Sequence, residues 1–351
     1  MDYLVKYIKE NGNKTFKECN FNEIDALLYT ILSYIDLTGL KLNNTPIREA
    51  YSLFERKFLL KDKDKFSQKN NEVFKLMAEA PRFKNNLIED YTGIINKDMQ
   101  FGAITINVLH HFKFIAFEGT TDHLIGWEEN FKMSYMYPIP AGIKAIEYLD
   151  KHIKLNDLLV YIGGHSKGGN LAMCAYMELN KMKKWKVDYV FNFDGPGFLK
   201  EITETKKYEQ SYKKFRSYYP SESIVGMILN TKGIKKIIIS NKRGINAHNA
   251  HSWKYEDNHF IYSDLSNQSK IFYKRIENIF IKISKDKRKE FCETFFKVLY
   301  DSGYNFKSEL NELHIKKIVN LVKNTSKLKD DEKKLIIEVF KSLFENVAEK
   351  A

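Results

Sequence analysis

The segment LLVYIGGHSKGGNLA, residues 158–172, restricts the fold more than any other part of the chain. A short apolar run leads straight into glycines, one serine and more glycines, and then into NLAMCAYMELNKM, which reads as a helix. A fully apolar strand that turns into a helix belongs to a sheet covered by helices. Three uses of the loop compete: a phosphate cradle, a turn that presents Ser166, and a plain tight connection.

The phosphate reading fails on order. A P-loop needs G-x-x-x-x-G-K-[ST], and here Lys167 follows the serine and precedes the glycines. The dinucleotide pattern G-x-G-x-x-G misses the register as well. G-x-S-x-G does fit, as Gly164-His165-Ser166-Lys167-Gly168, with a strand before it and a helix after it. The requirement is steric. A serine on a strained strand-to-helix turn projects its Oγ above the sheet edge, and the residues two before and two after it must be small. The backbone N–H of Lys167 then lies at a helix N-terminus, aimed where an oxyanion would form. The Lys167 side chain cannot act as the base, because neighbours on a turn point apart. Its charge is a candidate attraction for an anionic substrate.

The surrounding chain supports this architecture. In residues 98–262, MQFGAITINV and HFKFIAF read as a strand pair. Further strands are expected in LLVYI, VDYVFNF, FRSYY and IKKIIIS, and IPAGIKAIEYLDKH reads as a helix with Pro140 near its start. Alternating strands and helices argue for a mainly parallel central sheet. Residues 1–97 read as a helical part. FNEIDALLYTILSYIDL carries an apolar stripe, KDKDKFSQKNN reads as a surface loop, and NEVFKLMAEA as a helix stopped by Pro81. Residues 263–351 read as helices throughout: IFYKRIENIFIKI, KEFCETFFKVLY, ELHIKKIVNLV and KLIIEVFKSLF. No Pro/Gly/Ser linker separates them, so one unit of 351 residues is expected, with the tail packed on the core.

Composition narrows the function classes. Hydrophobic residues make up 43%, enough for a substantial core, and no apolar run approaches the length of a membrane span. The start, MDYLVKYIKENGNK, lacks the features of a signal peptide. Cys19, Cys174 and Cys292 are odd in number and widely spaced, which fits reduced thiols and a cytoplasmic protein. The net charge of +12 fits weak attraction to nucleic acid or anionic membranes. The lysines are spread along the whole chain, however, so a solvated basic surface is the reading taken, with no specific nucleic-acid site.

A nucleophilic serine needs a base and an orienting acid, in the chain order Ser, acid, His. Downstream of Ser166, Asp194 in FNFDGPGF and Glu222 in YYPSES each follow an expected strand. Asp194 is equally a residue type suited to an Asp-Gly-Pro-Gly turn. His248 and His251 in INAHNAHSW, and His259, are the candidate bases. His248 and His251 are spaced H-x-x-H, but with no third ligand or nearby cysteine no metal is expected. Trp253 reads as packing.

AFEGTTDHLIGWEENF, GHSKGGNLA, FNFDGPGF, PSESIVGM and INAHNAHSW, in this order, resemble the Mbeg-like family, α/β-hydrolases related to the class-three lipases. FNEIDALLYTILSYIDL resembles that family's opening, so the likeness spans roughly residues 20–260. The resemblance implies an α/β-hydrolase fold with helices added at both termini. It implies Ser166 as nucleophile and His248 as base. It gives Thr120, in FEGT, a backbone donor in the oxyanion hole beside Lys167. Glu118 stands where related lipases commonly carry arginine. Class-three lipases place their acid where this chain has Ser223, beside Glu222, whereas pancreatic-type lipases place it in a turn like FDGPGF. Asp194 is preferred and Glu222 kept as the alternative.

The expectation is a serine hydrolase of the esterase or lipase type, cleaving esters or thioesters through an acyl-enzyme without a cofactor. Its partner would be an acyl-ester or lipid-like small molecule, with weak association to anionic membrane surfaces. The alternative is a non-catalytic scaffold of the same fold, whose basic surface binds nucleic acid, an anionic membrane or a protein.

Overall fold

The computed structural model describes residues 1–58, 65–306, 330, 333 and 334. Eight strands form the central sheet: β1 (Thr45–Pro46), β2 (Leu87–Ile95), β3 (Gln100–Val108), β4 (Phe112–Phe117), β5 (Val160–His165), β6 (Val187–Phe193), β7 (Phe215–Pro220) and β8 (Ile234–Ile238). They lie side by side in sequence order. β1 through β4 pair antiparallel, and β4 through β8 pair parallel. β3 and β4 are the expected strand pair, with Ala103 opposite Phe117 and Val108 opposite Phe112.

Alternation along the strands divides the core in two. Phe114 and Ala116 of β4 face one way, against helices α1 (Tyr3–Asn11), α2 (Glu23–Leu32), α3 (Ile47–Phe58) and α4 (Lys65–Glu79). Ile115 and Phe117 face the other way, against α6 (Pro140–His152) and α7 (Lys167–Glu178). α5 (Leu124–Lys132) lies beyond β3 and anchors the helix Lys285–Asp301, which seats Phe291, Phe295 and Phe296 against Leu124, Trp127 and Phe131. An eight-stranded sheet with parallel strands at its centre, helices on both faces and a serine turn after a central strand is the α/β-hydrolase fold.

Two details differ from the sequence reading. β1 and β2 arise within residues 1–97 and extend the sheet beyond β3. In β2, LIEDYTGII, the alternation is interrupted by Glu89 and Asp90, and the register shifts between Ile88 and Asp90, so the pattern hides the strand. Residues 65–71, expected as a surface loop, form the first turns of α4. Asn70 there is buried against His251, a partner distant in sequence. ELHIKKIVNLV and all but the first residue of KLIIEVFKSLF lie outside the described residues. Among the described residues no helix is long and apolar enough to cross a membrane.

Candidate active site

Ser166 sits between β5 and α7 with φ 58° and ψ −131°, a backbone conformation that a non-glycine residue adopts only where its surroundings impose it. The two glycines permit the turn. A Cβ on Gly164 would collide with the Gly168 carbonyl, and one on Gly168 with the Phe117 carbonyl at the end of β4. The turn is tied to the next strand, since Ser166 N–H donates to Phe193 O at 3.0 Å. The serine is neither fully buried nor fully exposed.

Asp194 follows β6 directly, also at positive φ, 50°. Its carboxylate is fully buried. Oδ2 faces His248 Nδ1 at 2.6 Å, while Oδ1 accepts from Ser223 Oγ at 2.5 Å and from Gly226 N–H at 3.2 Å. His248 ends the 3-10 turn Gly244–His248 after β8 and is partly exposed. With Nδ1 committed to a carboxylate, the neutral ring carries its proton there and leaves Nε2 as the basic nitrogen. Glu222 is directed elsewhere: its Oε2 accepts from Gly244 N–H at 2.6 Å. Ser223 lies on the later strand's loop and supports Asp194 instead of replacing it. The structure therefore brings Ser166, Asp194 and His248 to one rim of the sheet. The Ser166 hydroxyl and the His248 ring are not hydrogen-bonded to each other here; such contacts are often long before substrate arrives.

The other two candidate bases are engaged with partners elsewhere. His251 is buried between Asp2 Oδ1, 3.1 Å from Nδ1, and Asn70 Oδ1, 2.8 Å from Nε2. His259 pairs with Glu23 at 3.1 Å. Trp253 is fully buried, and its Nε1–H donates to Ala247 O at 2.8 Å, which steadies the turn that carries His248.

His165 is a residue the sequence reading passed over. It is buried, its ring stacks on that of His248 at 4.5 Å, and its Nε2 faces the His248 carbonyl oxygen at 2.9 Å. A carbonyl only accepts, so Nε2 carries the proton and Nδ1 accepts from Tyr34 O–H at 2.9 Å. Burial, reinforced by the neighbouring His248, holds the His165 pKa well below the usual histidine range, so this ring stays neutral. Its only signal in the sequence is its place beside the serine, which is common to every G-x-S-x-G pattern.

The Lys167 side chain does not face substrate, contrary to the sequence reading. It runs inward, is 1% exposed, and its Nζ meets Glu129 Oε2 at 2.8 Å, Gln100 O at 2.6 Å and Gln100 Oε1 at 3.1 Å. A buried ammonium requires such partners. The backbone N–H groups of Lys167 and Thr120 have no hydrogen-bond partner among the described residues. The Thr120 side chain is held by Asn130 at 3.0 Å. Glu118 packs beside Gly102 and accepts from Gln100 Nε2 at 2.8 Å. Desolvation pushes its carboxyl up to about 8, opposed by the Lys167 charge.

No functionally curated protein matches the chain. Six solved chains are similar in structure. One is the crystal structure of M37 lipase, 14% identical, covering 59% of this chain and 70% of that one, with a TM-score of 0.38. The family model described as Mbeg1-like matches residues 77–297, which leaves α2 outside the match and includes β3 through β8 with the serine turn, Asp194 and His248. That stretch is more than half of the 351 residues, and the chain belongs to the Mbeg1-like family.

Proposed function

We propose that the protein is a serine hydrolase that cleaves carboxylic esters or thioesters. The observation that carries the reading is the strained Ser166 turn at the same sheet rim as the Asp194–His248 pair, 2.6 Å apart. In this mechanism Ser166 Oγ attacks the acyl carbonyl as its proton passes to His248 Nε2. Asp194 fixes the ring's tautomer and stabilises the imidazolium. The N–H groups of Lys167 and Thr120 receive the oxyanion. Collapse expels the alcohol or thiol, which takes the proton from His248 and leaves an acyl-serine. His248 then withdraws a proton from water, which attacks the acyl carbonyl and releases the acid.

The substrate class we favour is a lipid-like acyl ester. Met133, Met136, Tyr137, Pro138, Phe198 and Leu199 gather beside Asn170, one helical turn past Ser166 on α7, around a gap no larger than a water molecule, which would have to widen to seat an acyl chain. The three free thiols fit a reducing compartment such as the cytoplasm. Hydrolysis of p-nitrophenyl esters of graded chain length tests the reading. Turnover by the wild type that Ser166→Ala abolishes is expected. A folded wild type with no turnover across a broad ester and thioester panel would refute it.

A further inference from the structure

The buried network behind the serine turn joins the two backbone donors proposed above. Gln100, at the start of β3, is fully buried, and each of its polar groups is used. Its backbone N–H donates to Glu129 Oε2 at 3.1 Å and its carbonyl accepts from Lys167 Nζ at 2.6 Å. Its side-chain Oε1 accepts from Lys167 Nζ at 3.1 Å and from Thr121 N–H at 3.3 Å. Its Nε2 donates to Gly119 O at 3.1 Å and to Glu118 Oε2 at 2.8 Å. Gln100 therefore holds the loop on both sides of Thr120. Gly119 C=O and Thr120 N–H belong to one peptide plane, and in a trans peptide they point in opposite directions. Fixing the carbonyl toward Gln100 turns the Thr120 N–H away from it. The same side chain anchors Lys167, whose own N–H is the other donor. Glu129 neutralises the ammonium and accepts Ala141 N–H at 2.8 Å, so α6 is tied to the same point.

We infer that Gln100 is a positioning residue that sets the two oxyanion donors relative to each other, with the inward Lys167–Glu129 pair as its clamp. This explains why a lysine follows the serine: its side chain reaches across the turn to hold the loop opposite. The inference rests on the hydrolase reading. It touches no reacting atom, so its effect belongs in kcat and not in KM.

The test is the rate of labelling by a fluorophosphonate, with steady-state kinetics on the best ester, for wild type and Gln100→Met. Met keeps the volume and removes the side-chain hydrogen bonds. The variant is expected to melt lower, since Lys167, Thr121 and Gly119 each lose a buried partner, to keep its KM, and to lose roughly 10- to 100-fold in both kcat and labelling rate, as misplaced donors do. A variant folded like the wild type that labels and turns over equally well would overturn the inference and leave the hydrolase reading standing. A wild type that never labels defeats the hydrolase reading and this one with it. Should Gln100→Met melt more than about 5 °C lower, Gln100→Glu is read by the same criteria. It keeps the acceptor for Lys167 and Thr121 but loses the donations to Gly119 O and Glu118 Oε2 and sets a second carboxyl beside Glu118.

Discussion

Asp194 serves three donors at once: His248, Ser223 and the Gly226 N–H. Asn in its place would put an amide against one of those donors, and the His248 ring would lose the partner that fixes its tautomer. Asp194→Asn is expected to lower kcat by on the order of 10³- to 10⁴-fold with KM little changed. Glu222→Gln, at a side chain whose carboxylate accepts from Gly244 N–H and not from His248, is expected to cost less than about 10-fold. Parallel kinetics on the two variants check this, and a larger loss at Glu222 would reassign the acid. Ser166 stood out because the glycines two before and two after it have a steric meaning, whereas Asp194 over Glu222 and His248 over the other downstream histidines were preferred only through the resemblance to the Mbeg-like family. Tyr34 and Gln100 did not stand out. Tyr34 lies 131 residues from His165 and Gln100 lies 67 from Lys167, and nothing local in either segment marks the contact. The direction of the Lys167 side chain depended on Glu129, which local pattern could not supply.

α2 is held at its N-terminus by a capping box in which Asn22 and Asp25 accept from each other's backbone. Asp25 also takes Arg82, with Nε at 2.9 Å from Oδ1 and Nη2 at 2.5 Å from Oδ2, both side chains fully buried. Burial holds the Asp25 carboxyl above the usual range despite the guanidinium. Arg82 Nη1 further donates to the carbonyls of Lys14, Thr15 and Cys19, closing the loop between α1 and α2. Arg82→Met leaves a buried carboxylate unpaired and is expected to cost about 3–5 kcal/mol. Urea unfolding should show the loss, and Asp25→Leu added to Arg82→Met should recover part of it. A double variant as unstable as the two losses summed would contradict the pairing. The periodicity of α2 and the Pro81 stop of α4 were visible because helical spacing and proline are local signals. The first turns of α4 read as a loop because KDKDKFSQKNN is polar and charged, and the buried Asn70 there is satisfied by His251, 181 residues away in sequence.

Across the whole molecule, the parallel strands end on one rim, and the candidate residues come from their ends: Ser166 after β5, Asp194 after β6, Ser223 after β7 and His248 after β8. The loop after β4 completes the set with Thr120. This is where open α/β sheets gather ligands. The alternation of strands and helices made the fold class legible, and the likeness to the Mbeg-like family is matched over residues 77–297. The antiparallel extension through β1 and β2 was not legible, because a strand with two acidic residues at its bulge does not alternate. All of this bears on whether Ser166 is activated. The most direct measurement is fluorophosphonate labelling of the wild type beside Ser166→Ala and His248→Ala, with each protein's folding checked by its melting curve. Labelling of the wild type that both substitutions abolish is the expected result. A folded wild type that stays unlabelled, or a Ser166→Ala variant labelled as fast as the wild type, would contradict it.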